Sequence, residues 1–429
     1  MPDGGLRAAR STRLGRVRLQ HVPPARAGRG GHRGRRVRGV VRHVPAPRTG
    51  ELLRQRRAAS CARSRRRELR LVGPRGAAAG RSGRGTALHG ARRASGRSRA
   101  ATSLGAFGVI SVSVAIVTWE SAKHLPRCLD ALAAQTALPR EVIVVDNASS
   151  DASAAIASAH PVVGAFERNS SNRGFAGGQN QAIRRSIGEW VLALNPDAVL
   201  APTFLEELAR AARPAPVGTL CGKLLRLGGD GRPVEPAVID STGIVFTRDF
   251  RHLDRGSGLP DQGQWEREEL VFGATGAAAL YRRAMIDDVS VEGEFFDDEF
   301  FAYREDADVA WRAQLLGWDC LYVPRAVGYH VRAVLPSNRR SVPAHLNRHS
   351  VKNRFLMRIK NADSAVWRRC GWRGVARDLA VVAGCLGAEW SSLGAFADVA
   401  RLRARLLRQR EIIQARRRRD GQAIARWFE

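Results

Sequence analysis

The sequence predicts an α/β protein with a mostly parallel central sheet flanked by helices. Between residues 112 and 195, four apolar segments of strand length alternate with segments of helical periodicity. Parallel strands need long crossover connections, so this alternation indicates right-handed βαβ units. Polar clusters at residues 146–147 and 195–197 each follow a strand, and such sheets bind ligands beyond the carboxyl ends of their strands. The pattern therefore predicts a ligand site at that edge.

The individual elements follow from the spacing of apolar residues. Leu125, Leu129 and Leu132 share one face of a predicted helix, whereas the apolar runs VSVAIVT and EVIVVD predict buried strands. Strands are predicted at residues 112–118, 141–146, 162–167 and 189–195, and helices at 121–135, 151–159 and 174–187. Residues 220–289 have a more irregular, β-like pattern. We also expect a helix at 305–316, a short strand at 320–323 and arginine-rich helices after Asp363.

The first hundred residues carry most of the charge of the chain. They contain 28 Arg, no Lys and 3 acidic residues, which accounts for +25 of the formal net charge of +31. No Phe, Trp, Tyr, Ile, Lys or Asn occurs before Phe107. A segment with so little to bury cannot offset its ordering entropy, so residues 1–108 are expected to be disordered.

Three interpretations of this segment stay open. The residue types that are absent from it are encoded mostly by AT-rich codons. The first interpretation is therefore that the segment is GC-rich upstream sequence, translated because the start codon is misplaced. A genuine disordered tail is the second interpretation. A basic arm that binds nucleic acid is the third, although the aromatic side chains that stack on single strands are absent. We expect no nucleic-acid partner for the remaining residues.

The other composition signals favour a cytoplasmic protein. Its 6 cysteines are scattered without a CxxC pair, which argues against a disulfide scaffold and a structural zinc site. The N-terminus has no apolar signal region. Residues 379–400 lean apolar but contain Glu389 and Asp398, so no transmembrane helix is predicted.

The arginine-rich run at residues 401–419 leaves two alternatives open. It holds nine arginines with leucines and isoleucines interleaved. Such a helix can lie on an anionic membrane surface, which would place the protein peripherally on the inner face of the cell membrane. It can equally pack on the catalytic domain as a solvated helix. The expected division is 1–108, a catalytic domain at 109–362 and a basic helical region at 363–429.

Four motifs carry the chemistry. VTWE and VVDNASSD place Thr118, Glu120, Asp146 and Asn147 at strand ends, where they can contact a nucleoside. NRGFAGGQN opens a helix with glycines, so its backbone N–H groups could approach a diphosphate. Each of these first two motifs is also compatible with an ordinary turn that binds no ligand.

The third and fourth motifs suggest a metal ligand and a base. In NPD, Asp197 follows a strand, and a hard divalent ion on a diphosphate needs only one or two protein carboxylates. The stretch FFDDEFFAYREDAD sets acidic residues among aromatics, which suggests a cleft where a sugar stacks and a buried carboxylate acts as general base. A solvated acidic face is the alternative.

Taken in order, these motifs resemble the family 2 glycosyltransferases, particularly the rhamnosyltransferase-like branch. The matching segments are VTW, VVDNASSD, NRGFAGGQNQAI, LNPDA, GATGAAALYRR, FFDDEFFAYREDADVAWRAQLLGW and GYHV. They span about 250 of the 429 residues. The resemblance implies a GT-A fold and inverting transfer of a rhamnose-like or other hexose from a nucleoside-diphosphate sugar. The acceptor is then a saccharide or lipid-linked saccharide of cell-envelope synthesis.

The resemblance also implies a role for individual residues. Asp306, in the Glu305–Asp306 pair, matches the catalytic base, and Asp197 with His330 matches the ligands of a divalent metal, Mg²⁺ or Mn²⁺. Gly273, Ala274, Thr275 and Gly276 match a loop near donor and acceptor. The donor site would comprise Thr118, Glu120, Asp146, Asn147, Asn172, Gly178, Asn180, Asn195 and Arg312, the last beside the leaving group.

One position departs from the family pattern. The common metal motif has two carboxylates, whereas the first is replaced here by Asn195. A neutral residue weakens metal affinity and leaves room for a dispensable metal. A non-catalytic carbohydrate-binding protein, or a nucleic-acid-binding protein that uses the basic N-terminal arm, remains the alternative function.

Overall fold

The computed structural model describes residues 110–332 and 343–429, and this part of the chain is built around one ten-stranded sheet. The described residues all belong to one compact unit, Arg99–Glu429. The predicted N-terminal segment, 1–108, lies outside the described residues.

The first half of the sheet is parallel and follows the predicted βαβ pattern. Strand β1 pairs in parallel with β2 and β4, and β2 pairs in parallel with β3. All seven residues of β1 are buried, as expected for a strand covered on both faces by helices. The elements are β1 (Val112–Thr118), α1 (Leu125–Ala133), β2 (Glu141–Asp146), α2 (Ser153–Ala159), β3 (Ala165–Arg168), α3 (Gly174–Arg185) and β4 (Trp190–Leu194).

The second half of the sheet is mixed. The elements are β5 (Ala198–Leu200), α4 (Phe204–Ala211), β6 (Val217–Arg226), β7 (Ile239–Ser241), β8 (Ile244–Phe246), β9 (His252–Asp254), β10 (Glu269–Val271), β11 (Ala278–Arg282), α5 (Arg283–Val289), α6 (Glu305–Leu315) and β12 (Asp319–His330). The main path of the sheet runs β10-β12-β6-β11-β4-β1-β2-β3, and β5 pairs with β12, β7 with β6. Strand β11 lies antiparallel between β4 and β6, while β8 and β9 form a separate hairpin.

Four C-terminal helices follow: α7 (Ala344–Asn361), α8 (Ser364–Gly387), α9 (Gly394–Ala415) and α10 (Gly421–Ala425). Helix α8 is kinked at Gly371, whose φ of 50° is outside the helical region. Among the described residues, no single helix is long and apolar enough to cross a membrane; α8 and residues 390–415 meet the length and composition requirement only together, bent by 120°.

The α/β fold class predicted from the sequence is confirmed. Along the main path the sheet has four parallel and three antiparallel neighbour pairs, because residues 220–289 contribute antiparallel strands. The strand predicted at 320–323 extends to His330, and helices begin at Ala344, earlier than expected. The division of the ordered part at residue 362 stays a prediction.

The arginine-rich run belongs mainly to α9, and most of its side chains contact the rest of the protein. Leu402, Leu406 and Ile413 are buried beneath the helix. Seven of its arginines form ion pairs with acidic residues outside the run: Arg401 with Asp398, Arg405 with Glu292, Glu294, Asp297 and Glu299, Arg408 with Glu292, Arg416 and Arg418 with Asp288, Arg417 with Asp363, and Arg419 with Asp319. These contacts favour the second alternative, a helix packed on the catalytic domain.

Candidate active site

One cleft of about 1250 Å³ opens at the carboxyl ends of the parallel strands. It lies where the sequence predicted a ligand site, because the motifs that follow β1, β2 and β4 meet at the same edge of the sheet. Ten of the predicted site residues line it: Glu120, Asn147, Asn172, Asn195, Asp197, Thr275, Gly276, Glu305, Asp306 and His330.

The other predicted site residues lie behind the cleft wall. Thr118 and Asp146 are fully buried at paired positions of β1 and β2. The side chain of Asn180 is held by the Phe296 backbone and by Asp298. Gly178, Gly273 and Ala274 are also absent from the lining.

The ends of β1 and β2 contain buried polar atoms without partners in the described part of the chain. Among the described residues, the Thr118 Oγ1 and Asp146 Oδ1 atoms are buried without a hydrogen-bond partner. Asp146 Oδ2 accepts from the Ser149 N–H at 3.1 Å, and Asn147 Nδ2 donates to the Gly174 carbonyl at 2.8 Å. Buried polar atoms are normally satisfied, so these two mark a place where a polar ligand group would be stabilised.

The glycine motif serves packing rather than the predicted phosphate cradle. A Cβ at Gly174 would lie 2.4 Å from the Phe301 carbonyl oxygen, and one at Gly178 would lie 2.7 Å from Val117 Cγ1. The Gly174 N–H donates to Asn172 Oδ1, and the Ala176 N–H donates to the Phe301 carbonyl. Two of the N–H groups expected to face a diphosphate are therefore already occupied.

Asp197 and His330 meet because two strands are in register. His330 pairs with Ala198 across β12 and β5, which places it beside the residue that precedes β5. Its Nε2 lies 3.3 Å from Asp197 Oδ1 and 3.4 Å from Asn195 Nδ2. The neutral Asn195 thus occupies the position next to the two predicted metal ligands.

A second carboxylate, Asp240, lies behind His330 and was missed from the sequence. Its Oδ2 contacts His330 Nδ1 at 2.9 Å, and Arg332 Nε donates to its Oδ1 at 2.5 Å. Arg332 also reaches Asp254 Oδ2 at 2.5 Å. Although burial opposes it, contact with Asp197 and Asp240 raises the pKa of His330 to about 10. Asp240 lies in a short strand with no motif of its own, so the sequence offered no signal for it.

This arrangement fits a divalent cation only with a neutral His330, because a metal ion binds unprotonated Nε2 and would have to displace the proton that Asp197 and Asp240 stabilise. A metal-ligating histidine usually has its second ring nitrogen fixed by a carboxylate, as Asp240 fixes His330. Among the described residues no cluster of three or more His, Cys, Asp or Glu side chains is arranged as a metal site. Two protein ligands therefore suffice only if phosphate oxygens and water complete the shell.

Glu305 and Asp306 begin α6 after a strained turn. Phe301, Tyr303 and Arg304 all have positive φ, of 61°, 72° and 74°. Such backbone costs about 1–3 kcal/mol per residue and is concentrated at functional sites. This turn connects the 3-10 helix Asp298–Phe300 directly to α6, and the acidic pair at the start of α6 faces the cleft.

Glu305 is buried and Asp306 is half-buried at the cleft, and their two carboxylates differ in their hydrogen bonds. Asp306 accepts from the Gly276 N–H at 2.9 Å and from the Ala307 N–H at 2.7 Å. Glu305 Oε2 has no partner among the described residues. Burial raises the pKa of Asp306 despite the Gly276 N–H. Burial and then the charge of Asp306 raise the pKa of Glu305 further.

The aromatic residues around this pair are mostly core rather than cleft. Phe295, Phe296, Phe300 and Trp311 are buried in the main hydrophobic cluster. Phe301 and Tyr303 line the cleft, together with Trp119 from the loop after β1. The expected stacking surface is therefore smaller than predicted, because this side of α6 packs inward.

Arg312 does not reach the cleft, and its predicted place beside the leaving group is wrong. It is 1 % exposed, and its Nε donates to Asp308 Oδ2 at 2.9 Å. Its other nitrogens donate to the Val289 and Phe295 carbonyls. Six residues separate it from Asp306, so it projects from a different side of α6 into the core.

Comparison with known proteins agrees with this architecture. The model of the family "Glycosyl transferase family 2" matches residues 113–290. A Mycobacterium tuberculosis N-acetylglucosaminyl-diphospho-decaprenol L-rhamnosyltransferase is 28 % identical over 276 residues, covering 59 % of this chain and 86 % of the relative. The Salmonella typhimurium O-antigen chain rhamnosyltransferase RfbN is 24 % identical over 231 residues, covering 53 % and 68 %.

Solved structures are also similar at lower identity. The mannosyltransferase PcManGT from Pyrobaculum calidifontis, in complex with GDP-Man and Mn²⁺, shares 20 % identity with a TM-score of 0.42 and covers 74 % of this chain and 85 % of that one. Residues 113–290 therefore resemble the family 2 glycosyltransferases, and over a longer span the chain is similar to rhamnosyltransferases.

Proposed function

We propose that the protein transfers a hexose, with inversion, from a nucleoside-diphosphate donor to a hydroxyl of a lipid-linked saccharide during cell-envelope polysaccharide synthesis. The observation that carries the proposal is that one cleft is lined by both the Asp197–His330 pair and the Glu305–Asp306 pair. The relative from Mycobacterium tuberculosis is named for a diphospho-decaprenol acceptor, which supports the lipid-linked class.

The donor would lie with its nucleoside toward Thr118 and Asp146. Because those two side chains are buried behind the cleft wall, Glu120 and Asn147, which line the cleft after the same strands, would contact the base or ribose. Asn172 also lines the cleft. The diphosphate would then extend toward Asp197, at the end of β4.

Asp197 and His330 would hold a Mg²⁺ or Mn²⁺ ion. The ion would supply Lewis-acid stabilisation of the charge that develops on the leaving diphosphate. Asp240 keeps the His330 ring oriented with Nε2 toward Asp197.

Asp306 would act as general base. The acceptor oxygen attacks the anomeric carbon, the bond from that carbon to the diphosphate oxygen breaks on the opposite face, and the hydroxyl proton passes to Asp306. The raised pKa of Asp306 makes it a stronger base than an ordinary aspartate. Its hydrogen bonds from Gly276 and Ala307 keep the carboxylate in place.

A donor screen tests the proposal. Thymidine-, uridine- and guanosine-diphosphate sugars are incubated with a saccharide acceptor, with and without Mg²⁺ or Mn²⁺, and release of nucleoside diphosphate is measured. Acceptor-dependent release with at least one donor is expected. Sugar or nucleotide binding without release in every combination would instead support the carbohydrate-binding alternative.

A further inference from the structure

Helix α8 and the turn after it have apolar residues on two sides, of which the protein covers only one. The segment from Trp372 to Trp390 reads WRGVARDLAVVAGCLGAEW. A helix that is apolar on every side is normally buried in a core or in a membrane. This one is at the surface of the described part of the chain.

The inner side of the helix packs on the protein. Gly374 lies against the Phe250 ring, since a Cβ there would be 2.6 Å from Phe250 Cε2. Cys385 is buried, and Val381 packs against the same small cluster, which includes Val351. Residues 374, 381 and 385 lie at intervals of seven and four, as one helical stripe requires.

The outer side carries large apolar side chains in water. We define the outer stripe as Trp372, Val375, Leu379, Leu386 and Trp390, which are 75 %, 51 %, 66 %, 53 % and 69 % exposed. The described residues contain 13 exposed large hydrophobic side chains, and these five lie within one segment of 19 residues. A concentrated exposed apolar surface marks an interaction site.

The charges near the start of the outer stripe are mainly positive, whereas Glu389 lies at its other end, next to Trp390. Arg368, Arg369 and Arg373 are exposed near its start, and the Arg373 guanidinium lies 6.0 Å from the centre of the Trp372 ring. Within residues 110–332 and 343–429, none of the three forms an ion pair. Asp378 is neutralised by Arg354 and Arg358.

The same helix forms one wall of the catalytic cleft. Arg377, Ala380, Val381, Gly384 and Ala388 line the cleft that also contains Asp306. A surface bound to the outer stripe would therefore lie beside the cleft mouth.

We propose that the outer stripe inserts into the headgroup and upper acyl region of an anionic phospholipid bilayer. Tryptophan and arginine suit this interface, because the ring has apolar and polar parts and the guanidinium pairs with lipid phosphate. The helix lies along the surface, since its inner side stays packed on the protein. This differs from membrane binding through the run at 401–419, whose arginines are largely paired within the protein.

A second copy of the chain suits the outer stripe less well. A symmetric dimer contact brings the same patch of both subunits together. It would place the exposed Arg368, Arg369 and Arg373 of one copy near those of the other, where Asp249 and Glu429 beside Trp372 offset only part of the positive charge. Anionic lipid provides the opposite charge.

If the proposed function holds, docking through α8 also presents the cleft to a lipid-linked acceptor. The acceptor saccharide would enter along the wall formed by Ala380, Gly384 and Ala388, while its lipid stays in the bilayer. This second step rests on the proposed function, whereas the docking itself does not.

Vesicle co-sedimentation of the full chain tests the docking. The probes are vesicles of phosphatidylcholine alone and of phosphatidylcholine with phosphatidylglycerol. The double variant Leu379→Gln/Leu386→Gln is expected to lose about a hundredfold of its partitioning, because burial of each leucine is worth about a factor of ten or more. The matched control Leu138→Gln/Ile187→Gln removes apolar side chains that are 71 % and 65 % exposed elsewhere and is expected to bind as wild type.

The charge is tested with Arg368→Glu/Arg373→Glu, which is expected to weaken binding to the vesicles that contain phosphatidylglycerol and to reduce its salt dependence. Wild-type protein that does not sediment with either vesicle, or a leucine variant that binds as tightly as wild type, overturns the proposal. So does a dimer in light scattering that the leucine variant converts to monomer without a change in vesicle binding.

Transfer assays separate the two steps. With an active donor, the leucine variant is expected to keep wild-type kcat/KM on a water-soluble acceptor and to lose activity on an acceptor embedded in vesicles. Equal activity of variant and wild type on the embedded acceptor overturns the entry route. Vesicle binding that the variant loses, with no transfer to any acceptor by wild type, supports the docking while the proposed function fails.

Discussion

The buried Glu305 and the half-buried Asp306 are adjacent at the cleft wall, where one negative charge is accommodated more easily than two. Burial raises the pKa of both, and the charge of Asp306 is a further cause for Glu305. Glu305 therefore keeps its proton while Asp306 ionises. The protons leave in two macroscopic steps that belong to the pair.

This difference predicts a specific pH profile. Transfer is expected to fall as the pH drops through the raised pKa of Asp306, because the protonated base cannot accept a proton. Asp306→Asn is expected to lose about 10²–10⁴-fold in kcat/KM. Glu305→Gln, which imitates the protonated form, is expected to keep the acidic limb of the pH–kcat/KM profile and lose any basic limb. Equal inactivation by both substitutions would transfer the role of base to Glu305.

Asp240 offers a test of the metal site that does not remove a proposed ligand. Asp240→Asn is expected to weaken Mn²⁺ binding about 10–100-fold, because the His330 ring loses the carboxylate that orients it. Isothermal titration of Mn²⁺ in the presence of nucleoside diphosphate measures the change.

The matched control is Asp254→Asn, which removes the other partner of Arg332 without a hydrogen bond to His330. Metal binding by the control is expected to stay near wild type. If both variants lose it equally, the effect belongs to the Arg332 network rather than to His330.

At the scale of elements, α9 is fixed to the segment before α6 by ion pairs. Arg405, which is 24 % exposed, lies between 3.0 and 3.5 Å from carboxylate oxygens of four acidic residues: Glu292, Glu294, Asp297 and Glu299. Asp297 also accepts from the buried Lys360 of α7 at 2.7 Å. The turn before α6 is thus held by two C-terminal helices.

Arg405→Ala is accordingly expected to lower the free energy of unfolding by about 1–3 kcal/mol, because several carboxylates lose their counter-charge. Arg401→Ala, on the same helix but with a 70 % exposed side chain paired only to Asp398, is the control and is expected to change stability by less than about 1 kcal/mol. Denaturant unfolding compares the two. Equal small effects would mean that the acidic cluster is stabilised mainly by Lys360.

The elements that the sequence predicted correctly are those whose buried residues form one continuous run along the chain. Strands β1 and β2 have the boundaries that the sequence predicted, since a run of buried β-branched residues ends at a polar turn. The third strand was predicted three residues too early, because Val162 and Val163 are apolar but belong to the preceding turn. The full length of β12 was missed, since its second half pairs with β5 and β6 only in three dimensions.

The same limit applies to the site. Residues that follow strands, such as Asn147, Asn195 and Asp197, were found from the strand-end rule. Asp240 was not found, because only the tertiary pairing of β6 with β7 brings it to His330. The aromatic residues before α6 were assigned to the cleft, because composition alone does not distinguish a binding surface from a core.

At the scale of the whole molecule, every described residue that lines the cleft lies at or after Val117. A chain that begins at residue 109 is therefore expected to keep the donor affinity and kcat/KM of the full chain, measured by nucleoside-diphosphate release. The same chain is expected to bind DNA no better than a neutral control protein. Loss of transfer on truncation would assign residues 1–108 a part in the enzyme, and retained DNA binding would revive the nucleic-acid alternative.

The irregular segment within β12 has a consequence for sequence changes in this protein. Between Val323 and Val327 the strand advances four residues while β6 advances one, from Gly222 to Lys223. The three extra residues, 324–326, are left unpaired, and regular pairing resumes at Val327. The direction of His330 is therefore set by its own pairs with Ala198 and Arg226 and not by the length of the bulge. Length changes at 324–326 should accordingly be tolerated better than length changes at 327–330, which would shift His330 out of register with Asp197.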